Sequence, residues 1–228
     1  MIRAIERAVL IATQDMLARV PDPEAAGIAG WVAEPEGNSV TVTFYAEGAD
    51  GGAPVAVHRS NILGSRVVSR EVFLTGPRPA LSPLAARMAA ARRATDSLPN
   101  QACGSAPFNV FVIPPTTADG PIDVYQISPQ TRRGYYPVGG HFRTTVAADG
   151  SVGESRPIAN ACLDLAVPEV PAGTQPRPLG AITHLRDPLP TEIHVFLALW
   201  TGRPLVVVAD DPQRLFAVTG EGIAEIRD

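Results

Sequence analysis

The stretch THLRDPLPTEIH, at positions 183–194, decides how the fold is interpreted. Its centre is a proline-containing loop, and its second half begins a helix. Thr191 is a favourable N-cap residue, and Glu192 places a carboxylate in the first turn, where it suits the helix dipole. A short strand is predicted to end at His184, directly before the loop. The stretch therefore predicts a strand, a loop and a helix, with His184 and His194 on opposite sides of the loop.

The side chains of this stretch make it the first candidate for a functional site. His184 and His194 could act as two neutral imidazole ligands of a metal ion. Asp187 or Glu192 could complete the ligand set as a carboxylate. Two histidines alone are a weak indication of zinc. The alternative interpretation is that these side chains cap the helix and pack the loop, with His194 stacked on Trp200 or partly buried.

Helices and strands can be predicted outward from this stretch in both directions. Helices are predicted at 2–20, 82–98 and 191–201, each from its apolar spacing and its end signals. Strands are predicted, in chain order, at 30–47, 55–62, 65–74, 107–113, 122–127, 141–146, 151–158, 182–184, 205–209, 215–218 and 222–226. We expect an α+β protein with a mostly antiparallel sheet flanked by helices. Its predicted domains are a helix plus small antiparallel sheet at 1–76 and an α+β domain at 80–228.

The order of features in the C-terminal part resembles a known family. A strand, His-x-x, a proline-containing loop, Pro-Thr-x-x-polar, an amphipathic helix, Gly-Arg-Pro-Leu and a hydrophobic strand are similar to the end of a JAB/MPN domain, the JAMM metalloprotease-like fold. The resemblance covers about residues 80–228 and is specific only over 183–218. In that family the motif is His-x-His, a loop, then Ser-x-x-Asp. A glutamate on an earlier strand acts there as general base on a zinc-bound water.

The motif residues of that family are mostly replaced in this chain. His184 lies at the position of the first histidine, and Arg186 lies at the position of the second. Thr191 replaces the serine, and His194 stands in the place of the aspartate ligand. The predicted strand at 108–113 has no acidic residue to replace the glutamate. Because an arginine keeps its positive charge beside a cation, the resemblance implies that the zinc site of the family is absent.

The segment YYPVGGHFR, at 135–143, is a second candidate. Paired glycines before a strand allow another backbone to approach closely. His141 and Arg143 alternate along the predicted strand, so they share one face, which could line a cleft and meet His184. The alternative is a glycine bulge that leads into a strand with an exposed polar face. The remaining histidine, His58, is interpreted as a surface residue in a strand.

Composition excludes several classes of function. The net charge is −4, which provides no electrostatic footprint for nucleic acid. No apolar run approaches the roughly 20 residues that span a bilayer. All 19 basic residues are arginine, so Schiff-base chemistry on lysine is excluded. A lysine-free chain is typical of a GC-rich genome, and we expect a bacterial protein.

The two cysteines, Cys103 and Cys162, provide information on the cellular compartment of the protein. Two cysteines cannot make a structural zinc site alone. Both lie near predicted loops or strand ends, so a disulfide is favoured over two buried free thiols. A disulfide would indicate a periplasmic or secreted protein, whereas free thiols would indicate the cytoplasm.

Two functional hypotheses follow from these patterns. The leading one is a non-catalytic JAB-like bacterial protein, a pseudoenzyme without cofactor, that acts as a binding or structural module. Its partner would be a protein or a small ligand at the cleft beside His184. The alternative is a divergent metal-dependent hydrolase whose zinc is held by His184, His194 and a carboxylate. In that case His141 or Glu192 would transfer protons.

A third hypothesis places a small anionic ligand in the same cleft. Arg186 and Arg143 would then be its contacts, because guanidinium groups bind carboxylates and phosphates in bidentate geometry. Asp187 and Thr191 are further candidates for polar contacts to a ligand there.

Overall fold

The computed structural model describes residues 2–159, 161–169, 177–184, 187–209 and 214–227. Helices and mostly antiparallel sheets make up this part of the chain, which confirms the predicted α+β class. No described helix has both the length and the apolar character needed to cross a bilayer.

The chain divides into two compact units. The first comprises Met1–Leu98, Phe111–Val124 and Thr144–Glu154. The second comprises Pro99–Val110, Tyr125–Arg143 and Ser155–Asp228. The division at 76–80 that we drew from the sequence stays a prediction.

The N-terminal sheet of the first unit is an antiparallel meander in the order β1-β2-β3-β4. Its strands are β1 (Ile28–Glu36), β2 (Ser39–Ala46), β3 (Val55–Leu63) and β4 (Arg66–Val72). The single strand predicted at 30–47 is wrong, because β1 and β2 form a hairpin in which Glu36 pairs with Ser39. Gly37 takes a positive φ of 60° at this turn, which glycine adopts without steric cost.

Helix α1 (Ile2–Leu17) packs on this sheet through the predicted apolar stripe. Ile5, Val9, Ala12 and Met16 are buried in the core that the helix shares with β2 and β3. Leu17, at the end of the helix, is 56% exposed. It follows Met16 directly, and one residue turns a helix by about 100°, which carries Leu17 off the buried stripe.

Helix α2 (Pro83–Ala94) also belongs to the first unit and contacts β1. The predicted start is confirmed, because the Ser82 hydroxyl accepts a hydrogen bond of 3.0 Å from the backbone N–H of Ala85. The helix ends four residues before the predicted end at 98. A further sheet has the order β5-β6-β8-β9, formed by β5 (Asn109–Ile113), β6 (Ile122–Ile127), β8 (Phe142–Val146) and β9 (Val152–Pro157).

The C-terminal sheet of the second unit has the order β11-β12-β13-β14. Its strands are β11 (Ala181–His184), β12 (Leu205–Ala209), β13 (Arg214–Thr219) and β14 (Gly222–Ile226). Strand β11 pairs in parallel with β12, and the other pairs are antiparallel. A parallel pair needs a crossover connection, which contains helix α3 (Glu192–Thr201). Helix α3 contacts β13, and Gly202 ends it in a left-handed conformation.

Two short strands and a disulfide complete the second unit. Strands β7 (Tyr135–Pro137) and β10 (Asp164–Ala166) pair antiparallel, and neither was predicted. Cys103 and Cys162 form the disulfide that the sequence favoured, with Cα atoms 5.5 Å apart.

Candidate functional site

A cavity of about 370 Å³ opens beside His184 and His194 in the second unit. This volume is within the roughly 300–1,000 Å³ that is usual for small-ligand pockets. Strand β11 and the first half of α3 form part of its wall, and Val138, Ile158, Ala159, Ala161 and Leu163 form the rest. Apolar side chains dominate the lining, among them Val138, Ile158, Leu163, Ile182, Ile193 and Leu197.

The start of α3 holds His194 in a fixed orientation and tautomer. The backbone N–H of Thr191 donates to His194 Nδ1 at 3.0 Å, so the side chain caps its own helix. Because Nδ1 accepts this bond, the neutral ring carries its proton on Nε2. Burial, and then the charge of His184, lower the pKa of His194 to about 4. The imidazole is therefore neutral near pH 7, with an N–H at Nε2.

His184 ends β11 and contacts both His194 and Asp187. Its Nε2 lies 2.9 Å from Asp187 Oδ2, and a carboxylate can only accept, so Nε2 donates. The two imidazole rings meet edge to face with centroids 4.8 Å apart. The stacking of His194 on Trp200 that we considered is wrong, because Trp200 contacts Tyr136 and Phe196 instead.

Asp187 is held by two donors at once. Arg156 donates to its Oδ1, and His184 donates to its Oδ2. Burial raises the pKa of Asp187, but the hydrogen bonds and charges of Arg156 and His184 outweigh it and lower the pKa overall. The carboxylate is thus ionised near neutral pH and occupied on both oxygens.

Glu192 and Arg143, two further candidates, pair with each other. Arg143 Nη1 lies 3.4 Å from Glu192 Oε1, and the Tyr125 hydroxyl donates to the same oxygen. The acid proposed to transfer protons is therefore engaged at the start of α3, where it also suits the helix dipole. The arginine proposed as an anion contact has a carboxylate partner already.

His141 is placed as a structural residue. It is 0% exposed and does not contribute to the cavity wall. The Ser128 N–H donates to its Nδ1 at 3.1 Å, and its Nε2 donates to the Pro137 carbonyl at 2.9 Å. Burial lowers its pKa to about 4. The exposed polar face that we considered is wrong for this residue, since both ring nitrogens are satisfied inside the protein.

The paired glycines before His141 do allow the close approach that was predicted. A Cβ on Gly139 would lie 1.8 Å from the Ala161 carbonyl oxygen. A Cβ on Gly140, whose φ is 65°, would lie 2.5 Å from Cys103 Sγ. Larger residues at these positions would therefore displace the disulfide-linked segment that forms one cavity wall.

The donor set as arranged does not fit a zinc ion. Among the described residues, no group of three or more His, Cys, Asp or Glu side chains could hold a metal. His194 Nδ1 already accepts an N–H from Thr191, and Asp187 is shared between Arg156 and His184. Arg186, predicted to contact an anion, lies outside the described residues.

His58, in the first unit, is buried and not at the surface as we had interpreted it. It is 0% exposed, and its Nε2 lies 3.1 Å from Asp15 Oδ2 on α1. The Ser60 hydroxyl lies 3.4 Å from His58 Nδ1. These residue types match a serine–histidine–aspartate triad, but Ser60 is fully buried, so a substrate has no access to it.

Sequence reasoning missed the residues that make the site a cavity. Val138, Ile158 and Leu163 come from separate segments, and apolar residues in loops carry no signal of a shared pocket. Arg156 was predicted only as part of a strand, although it holds Asp187. Side chains alternate between the two faces of a strand, and this alternation along 152–157 was the only indication in the sequence of the direction of the Arg156 side chain.

No protein-family model, no curated protein and no solved structure matches this chain. The resemblance to a JAB/MPN domain therefore stays a prediction from the residues of 183–218.

Proposed function

We propose that this chain is a non-catalytic, JAB/MPN-like binding module of a bacterial protein, and that the cavity beside His184 and His194 is its binding site. The observation that carries the proposal is the combination of a largely apolar cavity with polar side chains that are already bonded to their own loop. A cavity of this kind provides affinity through burial of apolar surface.

The replaced motif supports a non-catalytic role. A hydrolase of the JAB/MPN type needs a zinc-bound water and a glutamate base. Arg186 takes the place of one histidine ligand, and the strand Asn109–Ile113 has no acid. His194 uses Nδ1 to cap α3, which is a structural task.

The compartment follows from the disulfide. Disulfides persist in oxidising environments, and Cys103–Cys162 holds the wall of the cavity at Ala161 and Leu163. We therefore place the module outside the cytoplasm, in the periplasm or secreted.

One observation favours the hydrolase as a second candidate. Asp187 orients His184 through Nε2, which leaves Nδ1 for another partner. A carboxylate that accepts a hydrogen bond from one ring nitrogen and orients the imidazole is the usual partner of a zinc-binding histidine. This candidate needs zinc at His184 and His194 in a geometry other than the one described.

The test combines a neutral apolar probe with zinc. N-phenyl-1-naphthylamine should bind the untagged protein at one saturable site, measured by its fluorescence. The variant Ala161→Trp fills the cavity and should abolish this binding. The matched variant Ala224→Trp, at an exposed position of β14, should leave it unchanged.

Zinc content decides between the two candidates. Mass spectrometry of the untagged protein should find no stoichiometric metal, and added zinc should not raise the melting temperature. One zinc per chain that is lost in the double variant His184→Ala, His194→Ala would overturn the binding module in favour of the hydrolase.

A further inference from the structure

We infer that the ligand of this cavity is an uncharged molecule with an apolar body and a carboxamide group, and that the amide is bound by His194 and by the edge of β11 with which no described strand pairs. This inference rests on the proposed binding function and adds the chemical class of the ligand. Three features of the cavity support it. They are a hydrogen-bond donor in a fixed orientation, the backbone groups along one edge of β11, and the charged side chains around the cavity.

The directed donor is His194 Nε2. His194 lines the cavity, and the Thr191 N–H fixes the orientation of its ring by donating to Nδ1. No described residue accepts a hydrogen bond from Nε2, so this N–H is left for a ligand. A carbonyl oxygen is the complementary group, since neutral imidazole can only donate from this nitrogen.

The strand edge is β11, whose four residues all line the cavity. The opposite edge of β11 is used by β12, where Val206 N–H donates to the Gly180 carbonyl at 3.1 Å. Backbone groups alternate along a strand, so Ala181 and Thr183 turn their N–H and C=O groups toward the edge that does not pair with β12. An edge of this kind offers donors and acceptors together, which an amide satisfies and a simple carbonyl or ether does not.

The charges around the cavity disfavour a charged ligand. The Asp187 carboxylate lies beside His184 and would repel an anion. Arg156 and Arg143 are paired with Asp187 and Glu192, respectively. A cation would lose its hydration against a mainly apolar wall. An uncharged polar group avoids both penalties.

The volume limits the size of the ligand. A cavity of about 370 Å³ is equivalent to roughly a dozen water molecules at ~30 Å³ each. A six-carbon chain with one amide fits within it. Hexanamide, hexanoate and hexylammonium therefore form a matched series that differs only in the head group.

The experiment titrates the ¹⁵N-labelled full chain with each of the three compounds and follows the amide resonances of β11. Hexanamide should bind at least about ten-fold more tightly than the other two compounds, and it should shift Ala181 and Thr183. The variant His194→Gln keeps an acceptor for the Thr191 N–H and removes the ring N–H. It should weaken hexanamide binding about five-fold, which is within the range of one net hydrogen bond.

The amide spectrum of His194→Gln outside the cavity provides the control for folding, and it should match that of the original chain. Hexanoate or hexylammonium binding as tightly as hexanamide would overturn the carboxamide inference and leave the binding function standing. If neither hexanamide nor the naphthylamine binds, both the inference and the proposed function are overturned.

Discussion

Two histidines of this protein, His58 on strand β3 and His194 on helix α3, are both buried but have different surroundings. His58 lies on β3, where Asp15 of α1 and the nearby Ser60 contact its ring and its side chain is fully buried. His194 lies at the start of α3 and lines a cavity. Burial alone therefore does not identify a functional histidine. What distinguishes the two is whether the histidine lines a space that a ligand can enter.

The comparison extends to what stabilises each unit. The N-terminal sheet relies on an apolar core and a charged network on α1, whereas the second unit contains the disulfide. Trp31 lies in the first unit and Trp200 in the second, and they are the two tryptophans of the chain. The variants Trp200→Phe and Trp31→Phe therefore leave one fluorescent reporter in each unit, so the following changes can be assigned to a unit.

The largest expected effect is that of the disulfide. The double variant Cys103→Ser, Cys162→Ser removes a link between residues 59 apart. Loop-closure entropy of the unfolded chain predicts a loss of about 4 kcal/mol from the free energy of unfolding. Urea unfolding should show this loss at Trp200 and a much smaller one at Trp31. Equal losses at both reporters would mean that the two units unfold as one cooperative structure.

The second-largest expected effect on stability is that of removing the Asp15 carboxylate, which contacts His58, Ser60 and Arg70. Asp15→Ala leaves His58 and Ser60 without their carboxylate and removes the partner of Arg70. Breaking a buried pair by removing one partner costs about 3 kcal/mol. The change should appear at Trp31 in urea unfolding, with Asp22→Ala as a control at an exposed acid. A loss below that of the control would show that the network contributes no net stability.

Lowering the pH should reduce the free energy of unfolding of the second unit, because His141 is protonated more readily in the unfolded chain. Its folded pKa is lowered to about 4, below the unfolded value of 6.5, so the unfolded chain binds the proton first. Stability contributed by the neutral ring is thus present above about pH 6.5 and is lost as the pH falls toward 4. The full shift corresponds to a loss on the order of 3 kcal/mol.

A variant isolates this contribution from the other titrating groups. His141→Asn retains an acceptor for the Ser128 N–H but does not titrate. Its free energy of unfolding, reported by Trp200, should therefore fall less steeply between pH 6.5 and 4 than that of the original chain. Parallel pH profiles for the two chains would contradict a depressed pKa at His141.

These contrasts also show where sequence reasoning succeeded and where it had no signal. Local patterns predicted α3, β6 and β12 closely, because capping residues and runs of β-branched residues act over a few positions. Strands β7 and β10 have three residues each and exist only because they pair across the chain. No local pattern marks such strands.

The candidate site likewise has features that the sequence predicted and features that it could not predict. The sequence predicted that His184, Asp187, Thr191 and His194 would lie together, because they flank one loop. The burial of His58 could not be predicted, because its partner Asp15 is 43 residues away. The cavity is likewise assembled from segments distant in sequence, and the adjacent Arg59 favoured the wrong interpretation of His58 as exposed.

The smallest expected effect compares the two helix caps. Ser82 caps α2 by accepting from the Ala85 N–H, and it also donates to Glu34 at 2.5 Å. The Thr191 hydroxyl lies 3.2 Å from His194 Nδ1, while the capping of α3 runs through the Thr191 backbone. Ser82→Ala should therefore cost about 1 kcal/mol at Trp31, whereas Thr191→Ala should cost less than about 0.5 kcal/mol at Trp200. A cost for Thr191→Ala equal to that for Ser82→Ala would mean that the hydroxyl caps α3.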